Sequence, residues 1–250
     1  MKGIWVVKAG GEIFQKGGVS LDRFLAGMVR LARRYPLVFV HGGGPQLTDA
    51  LQKRKSPVRF VKGLRVTSPG EMRLVERILS GEINKEITGR LIRWGGLAVG
   101  ISGRDGRLLE ARVLPGMGCT GRAVRSRPAF LLALLREKCL PVVSPVCAGS
   151  RGEALNVNAD EAALCLAMGV KAARLIFLTN VPGVYGPDGI PLSRLTSREA
   201  GRLLVRRVIQ GGMIPKVRSA VAGVRKGVGE VWIAKVGEDL EALEGTRIHG

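Results

Sequence analysis

The chain has 250 residues, of which 46% are hydrophobic, and it carries a formal net charge of +20. This length and hydrophobic content are sufficient for a full core and argue against intrinsic disorder. Its apolar runs are too short to span a bilayer, and a lysine and a glycine pair interrupt the only early apolar stretch, so we expect a cytoplasmic protein without a transmembrane helix or secretion signal.

Short apolar runs alternate with longer segments of helical period, a pattern typical of an α/β sheet with crossover helices. We predict strands at 4–8, 37–41, 97–101, 141–146, 174–179 and 230–234. We predict helices at 22–35, 45–53, 69–79, 84–94, 128–138, 160–169, 197–207 and 213–226. Residues 108–124 are rich in glycine and in short β-prone runs, and we expect hairpins there that form a lid over a site.

Glycine-rich turns follow the first two predicted strands. One is Lys8-Ala9-Gly10-Gly11, and the other is His41-Gly42-Gly43-Gly44-Pro45, which opens a helix. Such turns expose backbone N–H groups to a phosphate or a developing oxyanion. One such turn is more often only a tight turn, but two at the carboxyl ends of parallel strands indicate a ligand site. Neither is a Walker A loop, and a GxGxxG match at 116–121 opens no helix, so we reject a dinucleotide site there.

Two later segments carry candidate charged residues. In the segment 156–161, Asp160 precedes an alanine-rich helix and either caps that helix or has a chemical role. In the segment 210–216, a glycine turn opens a helix with Lys216 one turn in, which suits either a phosphate clamp or a solvated charge. Only two histidines occur, and the four cysteines show no CxxC spacing, so we expect reduced cysteines and no metal site.

The motifs together resemble the amino-acid kinase family, in the branch of N-acetylglutamate kinase and the carrier-dependent aminoadipate/glutamate kinases of the LysZ type. The similarity covers nearly the whole chain in family order. The matching segments are 8–11, 41–44, 63–67, Gly81 with 84–85, 100–103 with 105–106, 141–145, 156–160, 178–179, 212–213 with Lys216, and 245–246. The resemblance implies an α/β fold, a carbamate-kinase-like three-layer αβα sandwich with a mostly parallel central sheet and two lobes. We place the acceptor lobe at 1–172, with the hairpin lid near 108–124, and the nucleotide-binding lobe at 173–250.

The resemblance also assigns roles to residues of this chain. It implies that Lys8 and Lys216 stabilise the transferred phosphoryl group, that Asp160 orients both lysines, and that Gly11 lies in the catalytic site. The residues implied in acceptor binding are Gly43, Gly44, Arg65 and Asn156. Those implied in nucleotide binding are Thr179, Asn180, Gly183, Tyr185, Gly212 and Met213. Asn180 departs from the pattern, because many relatives have aspartate there.

The implied reaction is transfer of the terminal phosphoryl group of ATP, carried with Mg²⁺, to a side-chain carboxylate. A carboxylate is already ionised at neutral pH and needs no general base, which agrees with the scarcity of histidine. Phosphoryl transfer requires positioning and cations around the moving group instead. We therefore interpret His41 as a packing or turn residue.

The charge distribution bears on the acceptor. Residues 1–125 contain 23 Lys and Arg against 9 Asp and Glu, whereas residues 126–250 contain 17 against 11. Because a basic surface attracts an acidic partner, we expect glutamate or 2-aminoadipate attached to the acidic amino-group carrier protein LysW, in lysine or arginine biosynthesis. The alternative is free N-acetyl-L-glutamate, in arginine biosynthesis. The positions expected to contact the carrier are Lys53, Arg54, Lys55, Arg59, Lys62, Arg122, Arg125 and Arg127, although each alone is compatible with ordinary solvated surface.

A nucleic-acid-binding protein is the rival from another class, since the charge permits it. Aromatic residues are only 4% of the chain and no basic tail or nucleic-acid motif occurs, so we do not favour it. The family resemblance further suggests a homodimer.

Overall fold

One sheet runs through the chain in this computed structural model, which describes residues 3–11, 20–237 and 239–250. Its strands, together with those of two small hairpins, are β1 (Trp5–Ala9), β2 (Leu37–His41), β3 (Phe60–Val61), β4 (Leu64–Arg65), β5 (Ala98–Gly103), β6 (Leu109–Val113), β7 (Thr120–Ser126), β8 (Leu140–Ala148), β9 (Ala154–Val157), β10 (Arg174–Thr179), β11 (Val184–Tyr185), β12 (Pro191–Leu192), β13 (Arg194–Thr196), β14 (Glu230–Lys235) and β15 (Gly245–His249). The helices are α1 (Leu21–Ala32), α2 (Gly44–Lys53), α3 (Pro69–Glu76), a π-helical segment (Arg77–Ile83), α4 (Asn84–Arg93), α5 (Ala129–Arg136), α6 (Ala159–Gly169), α7 (Ser197–Val205) and α8 (Met213–Arg225).

The centre of the sheet is parallel. β1 pairs with β2 and with β10, β10 with β14, and β8 with β2 and with β5, all in parallel. Antiparallel pairs lie toward the two ends, where β15 joins β14 and the β6–β7 hairpin joins β8 and β9. The predicted, mostly parallel central sheet is therefore confirmed.

Helices cover both faces of the sheet, and the alternation along β1 shows how. Trp5, Val7 and Ala9 belong to the core formed with α1 to α4, whereas Val6 belongs to the core formed with α5 to α8. Because strand side chains alternate, Lys8 faces the same side as Val6. The predicted three-layer sandwich is confirmed, and its geometry sends Lys8 toward α6 and α8.

β6 and β7 fall in the segment predicted to form hairpins, and seven further strands were not predicted from the sequence: β3, β4, β9, β11, β12, β13 and β15. β9 is only four residues long, which is too short to give a clear pattern. In β15 the inward-facing residue 246 is a threonine, so the sequence does not show a hydrophobic residue at that buried position. Thr246 is fully buried because its hydroxyl accepts from the Val184 N–H at 2.8 Å and donates to the Leu192 carbonyl at 2.6 Å. The predicted helices at 69–79 and 84–94 are joined by the π-helical segment. The sheet continues across residue 172, and the division into two lobes stays a prediction.

His41 and Asn84 form a buried polar pair beneath the carboxyl end of β2. His41 Nδ1 lies 2.8 Å from the Gly42 carbonyl oxygen, and Nε2 lies 3.1 Å from Asn84 Nδ2. Burial lowers the pKa of His41 from 6.5 to about 4, outweighing the hydrogen bond to Gly42, which acts in the opposite direction. The folded protein therefore holds a neutral ring at neutral pH.

This pair predicts a pH dependence of stability. Between pH 6.5 and about 4 the unfolded chain binds a proton at His41 that the folded chain does not, so the free energy of unfolding falls as pH is lowered. At 1.36 kcal/mol per pKa unit the loss at pH 4 is about 3 kcal/mol. Urea denaturation of the wild type and of His41→Asn across this range should show a steeper fall in the wild type. Parallel curves would contradict the assignment.

Candidate active site

A cavity of about 440 Å³ opens at the carboxyl ends of β1 and β2. Its walls are the two glycine turns, the β3–β4 hairpin, the junction of β9 with α6, and the start of α8. All eight residues predicted for catalysis and acceptor binding line it, namely Lys8, Gly11, Gly43, Gly44, Arg65, Asn156, Asp160 and Lys216. Its volume is in the range of small-molecule sites.

A buried carboxylate lies between two lysines in this cavity. Lys8 Nζ is 2.9 Å from Asp160 Oδ1, and Lys216 Nζ is 3.6 Å from Asp160 Oδ2. The three residues are 4%, 7% and 3% exposed in the order Lys8, Lys216, Asp160. One buried carboxylate therefore lies between two cations that line the cavity.

Asp160 is free to pair with the lysines because another residue caps α6. The cap of α6 is Asn158, whose side-chain oxygen accepts from the Asp160 N–H at 2.9 Å and from the Glu161 N–H at 3.3 Å. The capping role that the sequence left open for Asp160 is therefore filled by Asn158. The carboxylate of Asp160 is left to pair with the cations.

The pKa of Asp160 lies below its ordinary value despite complete burial. Burial by itself would raise this pKa, but attraction to Lys8 and then to Lys216, with hydrogen bonds from both, outweighs it. Asp160 is therefore ionised at neutral pH, as a counter-ion for two lysines must be.

Three helix N-termini converge on the cavity. Residues at the starts of α2, α6 and α8 line it, and the first N–H groups of a helix lack partners within the helix. Each N-terminus contributes a partial positive charge that favours anions. Together with the lysines, these ends give the cavity the electrostatics of a phosphate site.

Arg65 adds a third cationic side chain to the lining of the cavity. Its Nη2 donates to Thr48 Oγ1 at 2.5 Å and to the Gly44 carbonyl at 3.3 Å, and its guanidinium lies 4.8 Å from the centre of the Phe60 ring. The buried Nη1 has no hydrogen-bond partner within the described part of the chain. Burial lowers the pKa of Arg65, an effect partly opposed by Glu71, but arginine stays protonated. A buried, unsatisfied guanidinium nitrogen is suited to a carboxylate.

Asn156 is linked by hydrogen bonds to the segment that carries Arg65. Asn156 Nδ2 donates to Thr67 Oγ1 at 2.9 Å, and the Thr67 N–H donates to Thr120 Oγ1 at 3.0 Å. Thr120 Oγ1 in turn donates to the Arg65 carbonyl at 2.6 Å. The β6–β7 hairpin, predicted within 108–124 as a lid, is thus joined to the segment that carries Arg65.

The predicted nucleotide residues divide into two groups. Gly212 lines the cavity at the start of α8, and Met213 follows it as the first residue of that helix. Thr179 ends β10, and Asn180, Gly183 and Tyr185 follow it without lining the cavity. At Gly183 a Cβ would lie 2.5 Å from Thr246 Oγ1, which explains glycine at that position.

Among the cavity residues to which sequence reasoning gave no role, four carry polar or aromatic side chains: Thr48, Phe60, Thr120 and Asn158. Only Asn158 gave a local signal, because Asn just before an alanine-rich helical run is typical of a cap. The other three reach the cavity through the tertiary structure.

The described residues lack the features of a clustered metal site and of a membrane span. They contain no group of three or more His, Cys, Asp or Glu side chains that could hold a metal ion. They also contain no helix with the length and hydropathy needed to cross a membrane.

Known proteins share both the sequence and the fold of this chain. An acetylglutamate kinase of Endomicrobium trichonymphae is 36% identical over 248 residues, which are 99% of each chain. The solved structure of smu.665 from Streptococcus mutans UA159 superposes with a TM-score of 0.87 at 31% identity, covering 100% of this chain and 99% of that one. A carbamate kinase from Giardia lamblia shares the fold at a TM-score of 0.76 and 15% identity, covering 99% and 98%.

These similarities and the fold identify the chain as a kinase, and thus a phosphotransferase. The Amino acid kinase family matches residues 3–235, and the chain belongs to that family.

The lysine–carboxylate cluster predicts a large difference between two Asp→Asn substitutions. In Asp160→Asn two buried lysines lose the carboxylate that they share, and we expect the free energy of unfolding to fall by roughly 3–5 kcal/mol. In the matched control, Asp49→Asn, the lost partner is Lys53 in an exposed pair, and no measurable change is expected. The free energy of unfolding of each variant is measured by urea denaturation. An equal decrease in both variants would show that burial does not determine the effect.

Proposed function

We propose that the chain is an acetylglutamate kinase, which transfers the γ-phosphoryl group of ATP to the side-chain carboxylate of N-acetyl-L-glutamate. The observation that carries the proposal is that the cluster of Lys8, Asp160 and Lys216 lines the same cavity as Arg65. The names of the similar proteins support this acceptor better than the carrier-bound one that the charge distribution favoured.

The acceptor's two carboxylates have different roles in this proposal. Arg65 binds the α-carboxylate through the Nη1 that has no partner among the described residues, while Phe60 and Thr48 hold its guanidinium plane. Asn156, oriented by Thr67, holds the substrate beside it. The side-chain carboxylate is thereby directed toward Lys8.

The reaction then requires no proton transfer to begin. The acceptor carboxylate is ionised at neutral pH and attacks the γ-phosphorus directly, forming an acyl phosphate as the bond to ADP breaks. Lys8 and Lys216 stabilise the charge on the moving phosphoryl group, and the N–H groups of the glycine turns add donors. Asp160 keeps the two lysines charged and close to each other.

The nucleotide is proposed to bind on the side of residues 173–250. Thr179, Asn180, Gly183, Tyr185, Gly212 and Met213 are the candidate contacts, and Gly212 is the one that reaches the cavity. ATP supplies the phosphoryl group, and Mg²⁺ bound to its phosphates is the usual form in kinases. Gly211 has a positive φ of 54°, a conformation that glycine adopts readily, and the turn that it forms leads directly into α8. The free N–H groups at the N-terminus of α8 are suited to binding phosphate.

A second candidate acceptor is glutamate or 2-aminoadipate on the acidic carrier protein. One observation favours it: the β3–β4 hairpin at the cavity wall presents Phe60, 54% exposed, between the exposed Arg59 and Lys62. A basic rim with an apolar centre suits an acidic protein surface.

Assay of ADP release separates the two acceptors. With free N-acetyl-L-glutamate and ATP we expect steady turnover, because every proposed contact lies within the chain itself. The same assay is run with carrier protein loaded with glutamate or 2-aminoadipate. Turnover on the loaded carrier alone would transfer the proposal to the second candidate, and turnover on neither would refute both.

The two lysines give a prediction that is independent of the acceptor. Lys8→Ala and Lys216→Ala should each lower kcat by at least roughly 100-fold, because each removes a cation that stabilises the transition state. Circular dichroism should show the fold retained. Lys235→Ala is the control, since this lysine is about half exposed and pairs loosely with Glu244 at 3.9 Å. Near-normal kcat in either site variant would remove that lysine from the mechanism.

A further inference from the structure

The Gly42–Gly44 turn is packed closely between the π-helical segment and the end of β1. A Cβ at Gly43 would lie 2.4 Å from Ile83 Cδ1 and 2.7 Å from Leu79 Cδ2, both in the π-helical segment. The Gly42 N–H donates to the Ala9 carbonyl at 2.8 Å, which ties the turn to the end of β1. Gly43 caps α2 and Gly44 begins it, so their N–H groups are at the helix end that lines the cavity.

His41 fixes the remaining side of this turn. Its ring is fully buried, and Nδ1 lies 2.8 Å from the Gly42 carbonyl oxygen. A carbonyl oxygen only accepts, so the contact requires the ring proton to be on Nδ1. With the ring neutral, Nε2 is then left as an acceptor.

Asn84 completes the arrangement by supplying the donor that Nε2 needs. Asn84 Nδ2 lies 3.1 Å from His41 Nε2, 2.9 Å from the Val142 carbonyl oxygen and 3.2 Å from the Ile101 carbonyl oxygen, so its two N–H groups are shared among three acceptors. Contact with two carbonyls settles which end of the amide is the nitrogen. Asn84 therefore anchors His41 to β8 and β5 and selects the Nδ1–H tautomer.

We propose that His41 is a positioning residue for phosphoryl transfer: its Nδ1–H holds the Gly42 carbonyl so that the Gly43 and Gly44 N–H groups point into the cavity. The proposal rests on the proposed function, because those N–H groups act on the transferred phosphoryl group. Asn84 supports this role by setting the tautomer of His41, and the π-helical segment supports it by packing against Gly43. His41 touches no substrate in this scheme.

Two polar variants of similar size separate this role from simple packing. In His41→Asn an amide N–H takes the place of Nδ1–H and can still donate to the Gly42 carbonyl, whereas His41→Gln keeps a polar group near Asn84 but loses that donor. We expect His41→Gln to lower kcat at least about tenfold with both KM values within about threefold, because donors aligned with the transition state affect kcat rather than ground-state binding. His41→Asn should stay within about threefold of wild-type kcat. Equal kcat values in the two variants would overturn the proposal.

His249→Gln is the matched control, because His249 makes the same kind of contact, Nδ1 to the Gly250 carbonyl at 3.0 Å, but is exposed and outside the cavity. Its kcat should equal the wild-type value, and a loss like that of His41→Gln would count against the role of the turn. The tautomer is measured separately in the unmodified chain by ¹⁵N NMR of its two histidines. Protonated Nδ1 in His41 supports the proposal and protonated Nε2 refutes it. An inactive wild type would count against the proposed function, while the tautomer would still decide the positioning.

Discussion

The burial of one carboxylate between two lysines is the constraint on which the rest of the active site depends. Removing Asp160 from water costs several kcal/mol unless cations compensate, and Lys8 and Lys216 would repel each other without it. The three groups come from β1, α6 and α8, which are far apart along the chain. The alternation of β1, the Asn158 cap and the register of α8 must therefore all be correct for the cluster to form.

The charge that matters for chemistry is local rather than global. The net charge of +20 concerns the whole surface and affects partners and solubility. In the cavity the positive potential comes from three helix N-termini, two lysines and Arg65, and among the described residues that line it Asp160 is the only acid. These groups are fixed by backbone structure or by burial, so they need little rearrangement when charge develops on a phosphoryl group.

The fold and the acceptor side of the site could be predicted from the sequence because their signals are local. Apolar strands ending in glycine located the cavity edge, and the family motif located Lys8, Asp160 and Lys216. β15 was missed because Thr246 is buried by hydrogen bonds, which a hydrophobic pattern does not register. The π-helical segment was not predicted, because a helical period in the sequence does not distinguish a π-helix from an α-helix.

The close packing of the glycine turns has a consequence for how acceptor range can evolve. At Gly11 an added Cβ would lie 2.4 Å from Pro45 Cδ, so alanine there requires movement of the turn, and at Gly43 an added Cβ would have to displace the end of the Ile83 side chain. In the β3–β4 hairpin, which lines the same cavity, the side chains of Phe60 and Val61 are exposed and less confined, whereas Arg65 of the same hairpin is buried. Changes that admit longer or bulkier acceptors are therefore expected at Phe60 and Val61 rather than in the glycine turns. These two positions are the natural targets for directed-evolution libraries.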